Sequence, residues 1–207
     1  MLRSRVQASA VAFITMRIEK QRILDIGESA HRIFIDRMYP RFGLDDHPEY
    51  ASLEVLPMIF SGGFDFNPDT IYFNDTHSGE EVIYETAYHE SAHTLHQYSR
   101  KLYYKVGREE FLRTVRQLDK RLRFKDDRGK IMRGRVDILE IIADFGAISF
   151  LSEYPGQERV AKYLEGRSDV DTDLAEKLHS IDPALLLLLS QSDFNEAIEI
   201  IRGVVKP

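Results

Sequence analysis

The pattern H-E-x-x-H begins at His89 and ends at His93, in a stretch (residues 80–106) that contains neither proline nor glycine. On an α-helix, four residues correspond to a rise of about 6 Å and a rotation of about 40°, so both imidazoles project from one face and can bind one metal ion. Glu90 lies about 100° away, where its carboxylate can act as a general base on a water molecule without being a ligand. The pattern therefore predicts metal-assisted hydrolysis.

Glu140 and Asp144 are the only charged residues in the apolar run 138–147. Buried carboxylates are costly unless they are used. A catalytic zinc ion commonly has three protein ligands, and this chain has no cysteine to offer. We predict Glu140 as the third ligand and Asp144, one turn later, as the acceptor for the second ring N–H of a ligating histidine. Small side chains in the same run would let this helix pack closely on the motif helix: Ala143, Gly146 and Ala147.

Each of these groups also has an ordinary structural interpretation. His89 and His93 could be core or surface histidines, and Glu140 and Asp144 could be exposed acids of an amphipathic helix. His96 shares the helix stripe of the motif but lies about 10 Å from His89 along the axis, too far to share one ion. We interpret His96 as a buried, hydrogen-bonded histidine.

Together the two motifs resemble those of the gluzincin branch of the zincin metallopeptidases, to which thermolysin belongs. H-E-x-x-H is followed by E-x-x-x-D-x-G/A. The glutamate of the second motif, Glu140, lies 47 residues after His93, the second histidine of the first. The resemblance covers about a quarter of the chain. It implies a Zn²⁺ ion bound by His89, His93 and Glu140, with Glu90 as the general base and Asp144 as the residue that orients His89.

The chain also departs from the thermolysin pattern. Leu139 stands where thermolysin-like enzymes have asparagine before the ligand glutamate, so one polar contact to the substrate backbone or to the motif helix would be missing. At 207 residues the chain is closest in size to the minimal gluzincins. A metzincin is disfavoured, because no third histidine follows His93 at the required spacing.

In zincins the strand before the active helix forms the upper rim of the cleft, where an extended peptide adds to the sheet edge. The resemblance therefore predicts substrate binding by Ile71, Tyr72, Phe73 and Asn74. Alternation along a strand would place Ile71 and Phe73 on one side, and Tyr72 and Asn74 on the other.

Peptidases of this kind stabilise the developing oxyanion with a Tyr, His or Arg side chain. Tyr154, which lies 14 residues beyond Glu140, and His179 are the candidates. The sequence does not choose between them.

The order of predicted elements gives the fold class. Residues 3–38 show the spacing of one long amphipathic helix, and residues 53–60 and 70–74 are predicted strands. The remaining predicted elements are helices: 79–105, 107–124, 133–152, 156–166, 171–180, 183–190 and 193–202. Strands confined to the first half indicate an α+β fold, mostly α. We predict one zincin-like domain (1–207) with four parts: an N-terminal helix (3–38), a small sheet (53–74), metal-site helices (79–152) and a C-terminal helical cap (156–207).

The charge is unevenly distributed. The whole chain has 28 basic and 34 acidic residues, a net charge of −6, but residues 100–135 hold 14 Lys/Arg against 5 Asp/Glu. Because these cations alternate with Leu, Phe and Val at helical spacing, we interpret them as a solvated helix face and do not expect tight nucleic-acid binding. The expected partner is a peptide or protein substrate. Two alternatives stay open: a zincin that is inactive or held shut by a terminal segment, and a helical interaction module built on residues 100–135.

No apolar run approaches the roughly 20 residues needed to span a bilayer. The apolar N-terminal stretch is interrupted by Arg17, Glu19 and Lys20, which favours a helix over a secretion signal. The expected location is the cytoplasm.

Overall fold

The structure is a computed structural model that describes residues 18–43, 50–66, 69–77, 79–118, 120–126, 128–154, 156, 158, 160–161 and 169–205. The predicted α+β class, mostly helical, is confirmed. The described helices are α1 (Lys20–Met38), α2 (Glu80–Ala92), α3 (Gln97–Val106), α4 (Arg108–Gln117), α5 (Ile138–Glu153), α6 (Val170–Ile181), α7 (Leu185–Gln191) and α8 (Phe194–Val204). The described strands are β1 (Ser52–Leu56), β2 (Gly62–Phe66), β3 (Asp69–Asn74), β4 (Lys120–Lys125) and β5 (Ile131–Val136). Residues 3–17 of the predicted first helix, and most of 156–166, lie outside the described residues.

A three-stranded sheet has the order β1-β3-β2, with β1 parallel and β2 antiparallel to β3. The inner face of β3 presents Ile71 and Phe73, both fully buried. Helix α1 runs unbroken across this face because Gly27 has no side chain: a Cβ there would lie 2.6 Å from Phe73 Cζ. The glycine thus brings α1 close to the sheet without ending the helix.

Helix α5 is the centre of the helical layer and packs on α2 and α6. Its predicted small residues are buried, and Gly146 sits directly on α2, since a Cβ there would lie 2.7 Å from Ala92 Cβ. This close approach brings the two predicted metal-binding helices together. No helix among the described residues is both long and apolar enough to cross a membrane.

The bounds of four predicted elements are wrong. The predicted helices 107–124 and 133–152 are both shorter, because α4 ends at Gln117, α5 begins at Ile138, and an antiparallel hairpin, β4–β5, lies between them. The hairpin turn is fixed by the Asp126 side chain, which accepts the backbone N–H groups of Arg128 and Lys130. Strand β1 ends at Leu56, and β2 forms where Gly62 and Gly63 suggested a turn.

The fourth of these elements is the predicted helix 79–105, which is interrupted. A short 3₁₀ helix, His93–Leu95, follows α2, and His96 then caps α3 by accepting the backbone N–H of Ser99. The His96 ring is fully buried and stacks on Phe194. The interpretation of His96 as a buried, hydrogen-bonded histidine is confirmed.

Candidate metal centre

The last turn of α2 carries His89 and Glu90, and His93 begins the 3₁₀ helix that follows. All three side chains are almost buried, with residue exposures of 6%, 6% and 8%. Glu140, in the first turn of α5, faces them, with its side chain 45% exposed. The structure therefore brings together the four residues that the two motifs singled out.

Their spacing suits one small cation. Glu140 Oε2 lies 3.1 Å from His89 Nε2, and Glu140 Oε1 lies 3.8 Å from His93 Nε2. Two donors that each lie 2.0–2.1 Å from a tetrahedral zinc ion are separated by about 3.3 Å. Glu90 Oε2 lies 3.7 Å from His93 Nε2, on the flank of the pair.

Asp144 lies behind His89, as predicted. Asp144 Oδ1 is 2.8 Å from His89 Nδ1, so the carboxylate fixes the ring with Nε2 turned toward Glu140. The other oxygen, Oδ2, accepts a hydrogen bond of 2.7 Å from the hydroxyl of Thr172 in α6. Sequence reasoning missed Thr172, because its role depends on a contact between helices that no local pattern predicts.

The two histidines differ in electrostatic environment. Burial lowers the pKa of His93 to about 4, so this ring is neutral at pH 7 and has a lone pair for a metal. Burial also opposes charge on His89, but its hydrogen bonds with Asp144 and Glu140 outweigh burial and raise the His89 pKa well above its ordinary value. A positive charge at this position is therefore stabilised, whether it is a proton or a metal cation.

Glu85 is a further buried acid that sequence reasoning missed. It is 4% exposed and lies one turn before His89, so the i, i+4 spacing was the available signal. Two groups of His, Asp and Glu among the described residues could hold a metal ion: His89 with Glu90 and His93, and Glu85 with His89 and Asp144. Both groups contain His89, whose Nδ1 faces Asp144 and whose Nε2 faces Glu140.

The centre opens into a cleft of about 760 Å³. One wall is β2, where Phe64 stacks on the His93 ring and Gly62 lies against Glu90. Helix α4 also lines the cleft, through Phe111, Leu112 and Val115. The size is within the usual range for binding sites.

The predicted substrate strand is not at the cleft. Strand β3 pairs with β1 on one side and β2 on the other, so it has no free edge for a peptide. Ile71 and Phe73 are fully buried, and Tyr72 pairs with Gly63. The Asn74 amide instead donates to the carbonyls of Met58 and Phe60, which holds the β1–β2 loop. The prediction that Ile71–Asn74 form the rim is therefore wrong, and the edge strand along the cleft is β2.

The two predicted oxyanion donors are also elsewhere. Tyr154 stacks on Phe150 beneath Arg37, about 21 Å along the helix from Glu140. His179 contacts the Phe145 ring and lies 3.4 Å from Ser152 Oγ. Neither residue lines the cleft. An i+14 offset places Tyr154 four turns down α5, which the helix geometry alone could have excluded.

The donors that line the cleft are Tyr103 and Arg108. The Tyr103 hydroxyl donates to Asp65 Oδ1 over 2.8 Å, and Arg108 Nη1 lies 3.8 Å from Asp65 Oδ2. They have the side-chain types that the oxyanion prediction required. No protein-family model, curated protein or solved structure matches this chain.

Proposed function

We propose that the protein is a zinc-dependent metallopeptidase of the zincin type, in which His89, His93 and Glu140 bind the ion and Glu90 is the general base. The observation that carries the proposal is the position of Glu140 against both histidines, with Asp144 behind His89. Asp144 is buried and Glu140 is half-exposed, and the two carboxylates contact opposite nitrogens of one imidazole, an arrangement that a cation held there would stabilise.

The donor set fits zinc. Two imidazole nitrogens and one carboxylate are common ligands of catalytic zinc, and three protein ligands leave a position for a reacting group. The ring of His93 is neutral, and Asp144 fixes the tautomer of His89. Both properties favour metal binding. When bound, zinc would polarise the scissile carbonyl and lower the pKa of the attacking water.

The chain's own residues would carry the proton and hold the substrate. Glu90 takes the proton from the attacking water and passes it to the leaving amine. Cleavage of one peptide bond therefore consumes one water molecule and leaves Glu90 in its starting protonation state. The carboxylate is 6% exposed, which shields it from bulk solvent. Gly62 leaves room beside it, since a Cβ there would lie 3.0 Å from Glu90 Oε1.

The cleft fits an extended peptide. Strand β2 is the free edge of the sheet along the cleft, so a peptide can pair with it through backbone hydrogen bonds. Phe64 and Phe111 line the walls, and Ile59 and Phe60 are exposed at the rim, at 91% and 69%. These surfaces favour flexible segments with apolar side chains. The order of sheet, motif helix and second ligand-bearing helix supports a zincin-like domain.

The test is the substitution Glu90→Gln. Glutamine keeps the volume of glutamate and can hydrogen-bond a water molecule, but it cannot accept the proton. Turnover of a library of unstructured peptides should fall by orders of magnitude, while zinc content and melting temperature stay close to wild type. A wild-type protein that is fully loaded with zinc yet cleaves nothing would show that the metal is structural.

A further inference from the structure

The hairpin β4–β5 gathers cations on one face. The register pairs Arg121 with Arg135 and Arg123 with Arg133 directly across the two strands. Paired residues share a face, so the four arginines form two opposed pairs, and all four are exposed. Side chains on this face are about 5 Å apart across the strands and about 7 Å apart along them.

The opposite face of the hairpin packs on the protein. Phe124 and Val136 are buried there. Gly134 lies against Val170 of α6, since a Cβ on Gly134 would lie 2.7 Å from Val170 Cγ2. The alternation of the two strands therefore separates an apolar inner face from an arginine outer face. We call the outer face, made of Arg121, Arg123, Arg133 and Arg135, the arginine face.

The arrangement is electrostatically unfavourable for the isolated protein. Like charges directly opposite each other destabilise a strand pair. Within the described part of the chain, Arg121, Arg123 and Arg133 form no ion pair and no side-chain hydrogen bond that would offset this repulsion. Other exposed arginines do have such partners, for example Arg32 with Glu28 and Arg202 with Glu199. Arg135 does interact within the protein. The other three cations of the arginine face thus have the properties of a surface that is neutralised from outside.

We propose that the arginine face binds double-stranded DNA through its phosphate backbone, without sequence preference. Guanidinium groups bind phosphate oxygens in a bidentate manner, and the major groove of B-form DNA admits a two-stranded β-ribbon. The deep, narrow major groove of an RNA duplex does not. The expectation of no tight nucleic-acid binding depends on helical spacing of these cations, whereas residues 120–125 and 131–136 form a hairpin.

The composition of the face argues against two other partners. A protein interface normally has an apolar or aromatic centre, and membrane binding by a surface element needs apolar groups to insert. The only large apolar side chain exposed on this side of the described hairpin is Ile131, at the end of the ribbon. A phosphate polymer needs no apolar centre, since its binding is driven by release of counterions.

Fluorescence anisotropy with a labelled, mixed-sequence DNA duplex tests the proposal on the full chain. Four phosphate contacts predict a slope of about −3.6 for log K against log salt, or a loss of about a hundredfold between 50 and 200 mM salt. In the quadruple variant Arg121→Gln, Arg123→Gln, Arg133→Gln, Arg135→Gln, the affinity should fall by at least about tenfold and the slope should approach zero. The triple variant Arg121→Gln, Arg123→Gln, Arg133→Gln leaves Arg135 and its interaction intact, so its melting temperature should not fall, because the opposed charges are gone.

A matched control changes four arginines elsewhere. The variant Arg22→Gln, Arg32→Gln, Arg37→Gln, Arg41→Gln alters the net charge by the same amount, from −6 to −10, and should bind DNA within about twofold of wild type. If the quadruple hairpin variant folds poorly, the pair Arg123→Gln, Arg133→Gln should still remove about half of the salt slope. Glu90→Gln should bind DNA like wild type, so this test is independent of the peptidase proposal.

Four results would overturn the proposal. The first is DNA binding by wild type that is absent or independent of salt, and the second is an equal loss of DNA affinity in the hairpin and control variants. The third is equal affinity for an RNA duplex of the same sequence. The fourth is tighter binding of polyglutamate, or of anionic phosphatidylserine vesicles, than of DNA. Polyglutamate binding would assign the face to an acidic protein, and vesicle binding would assign it to a membrane.

Discussion

Thr172 Oγ1 donates a hydrogen bond of 2.7 Å to Asp144 Oδ2, and the other oxygen of that carboxylate holds His89 Nδ1. Asp144 and Thr172 are both almost completely buried. Three helices, α2, α5 and α6, therefore meet in one chain of hydrogen bonds that ends at the proposed metal ligand. Helix α6 is fixed at this point because Asp169 caps it by accepting the backbone N–H of Thr172.

This chain of hydrogen bonds predicts that Thr172→Val lowers both the stability of the protein and its affinity for zinc. Valine keeps the shape of threonine but leaves one carboxylate oxygen without its donor, which should lower the free energy of unfolding by about 1.5–3 kcal/mol. Zinc affinity, measured by chelator competition, should also fall. The control is Thr114→Val, since the Thr114 hydroxyl bonds, among the described residues, only to the carbonyl of Glu110 within α4. Unchanged zinc affinity in Thr172→Val would show that the hydroxyl does not help to position Asp144.

The proposed ligand set predicts a ranking of variants by zinc content. Glu140→Ala removes a ligand and should lose most of the bound metal, as measured by elemental analysis of the purified protein. Asp144→Asn keeps the three ligands but weakens the hold on His89, so its zinc affinity should fall by about 10–100-fold. Normal zinc retention in Glu140→Ala, together with complete loss in Asp144→Asn, would assign the third ligand to Asp144.

The packing of α5 on α2 predicts opposite effects of two glycine substitutions. In Gly146→Ala the new Cβ would lie 2.7 Å from Ala92 Cβ and 3.3 Å from Leu95 Cδ1, so the helices must separate. We expect a loss of about 1–3 kcal/mol in the free energy of unfolding, with weaker zinc binding. Gly203→Ala, in α8, meets no atom within 4 Å and should stabilise by about 0.5–1 kcal/mol. Denaturant unfolding of both variants checks the prediction, and a neutral Gly146→Ala would contradict it.

The metal-binding side chains were predictable because their arrangement is local. His89, His93 and Glu90 follow from helix geometry, and Glu140 and Asp144 share one face of a second helix. The small residues near Gly146 predicted the close contact between the two helices. These relations depend on spacing within one helix or on the size of one residue, which the sequence displays directly.

The strand arrangement was not predictable in the same way. The order β1-β3-β2 depends on pairing between segments, so the edge position of β2 and the central position of β3 are properties of the sheet. Gly62 and Gly63 have the composition of a turn, yet both lie in β2. The hairpin β4–β5 did carry a signal, since its apolar residues alternate with period two, but the high content of Lys and Arg favoured a helix.

The buried His96 predicts a loss of stability in acid. Burial lowers its pKa to about 4, below the ordinary value of 6.5, so between these values the unfolded chain binds more protons than the folded one. Stability from this group is complete above pH 6.5 and is lost as the pH falls toward 4. Between pH 7 and pH 5 the loss should be about 2 kcal/mol.

The variant His96→Asn isolates this contribution. Asparagine is a good N-cap and does not titrate, so the variant should be less stable than wild type at pH 7, because it loses the stacking on Phe194, but should lose less stability on acidification. Urea unfolding at several pH values gives the comparison, and metal release affects both proteins alike. His179→Asn, at a half-buried ring, should change the pH dependence less. Parallel curves for wild type and His96→Asn would contradict the assignment.

Substitutions at Gly62 and Gly63 can separate the proposed catalytic role of the edge strand β2 from its structural role. A Cβ on Gly62 would lie 2.3 Å from Thr86 Cγ2, 2.9 Å from the carbonyl oxygen of Tyr72 and 3.0 Å from Glu90 Oε1, whereas a Cβ on Gly63 would lie no closer than 3.5 Å to its nearest neighbour among the described residues, the flexible end of Met58. Gly62→Ala should therefore shift Thr86 and the Glu90 carboxylate away from β2 and lower kcat/KM by about tenfold or more, with zinc retained because none of the atoms that it contacts belongs to a proposed ligand. Gly63→Ala, on the same strand, should keep activity and zinc content. Peptide cleavage and elemental analysis of both variants give the result. Equal activity losses in the two variants would mean that β2 tolerates no side chain for structural reasons, and loss of zinc in Gly62→Ala would mean that the strand supports the metal ligands and not the base.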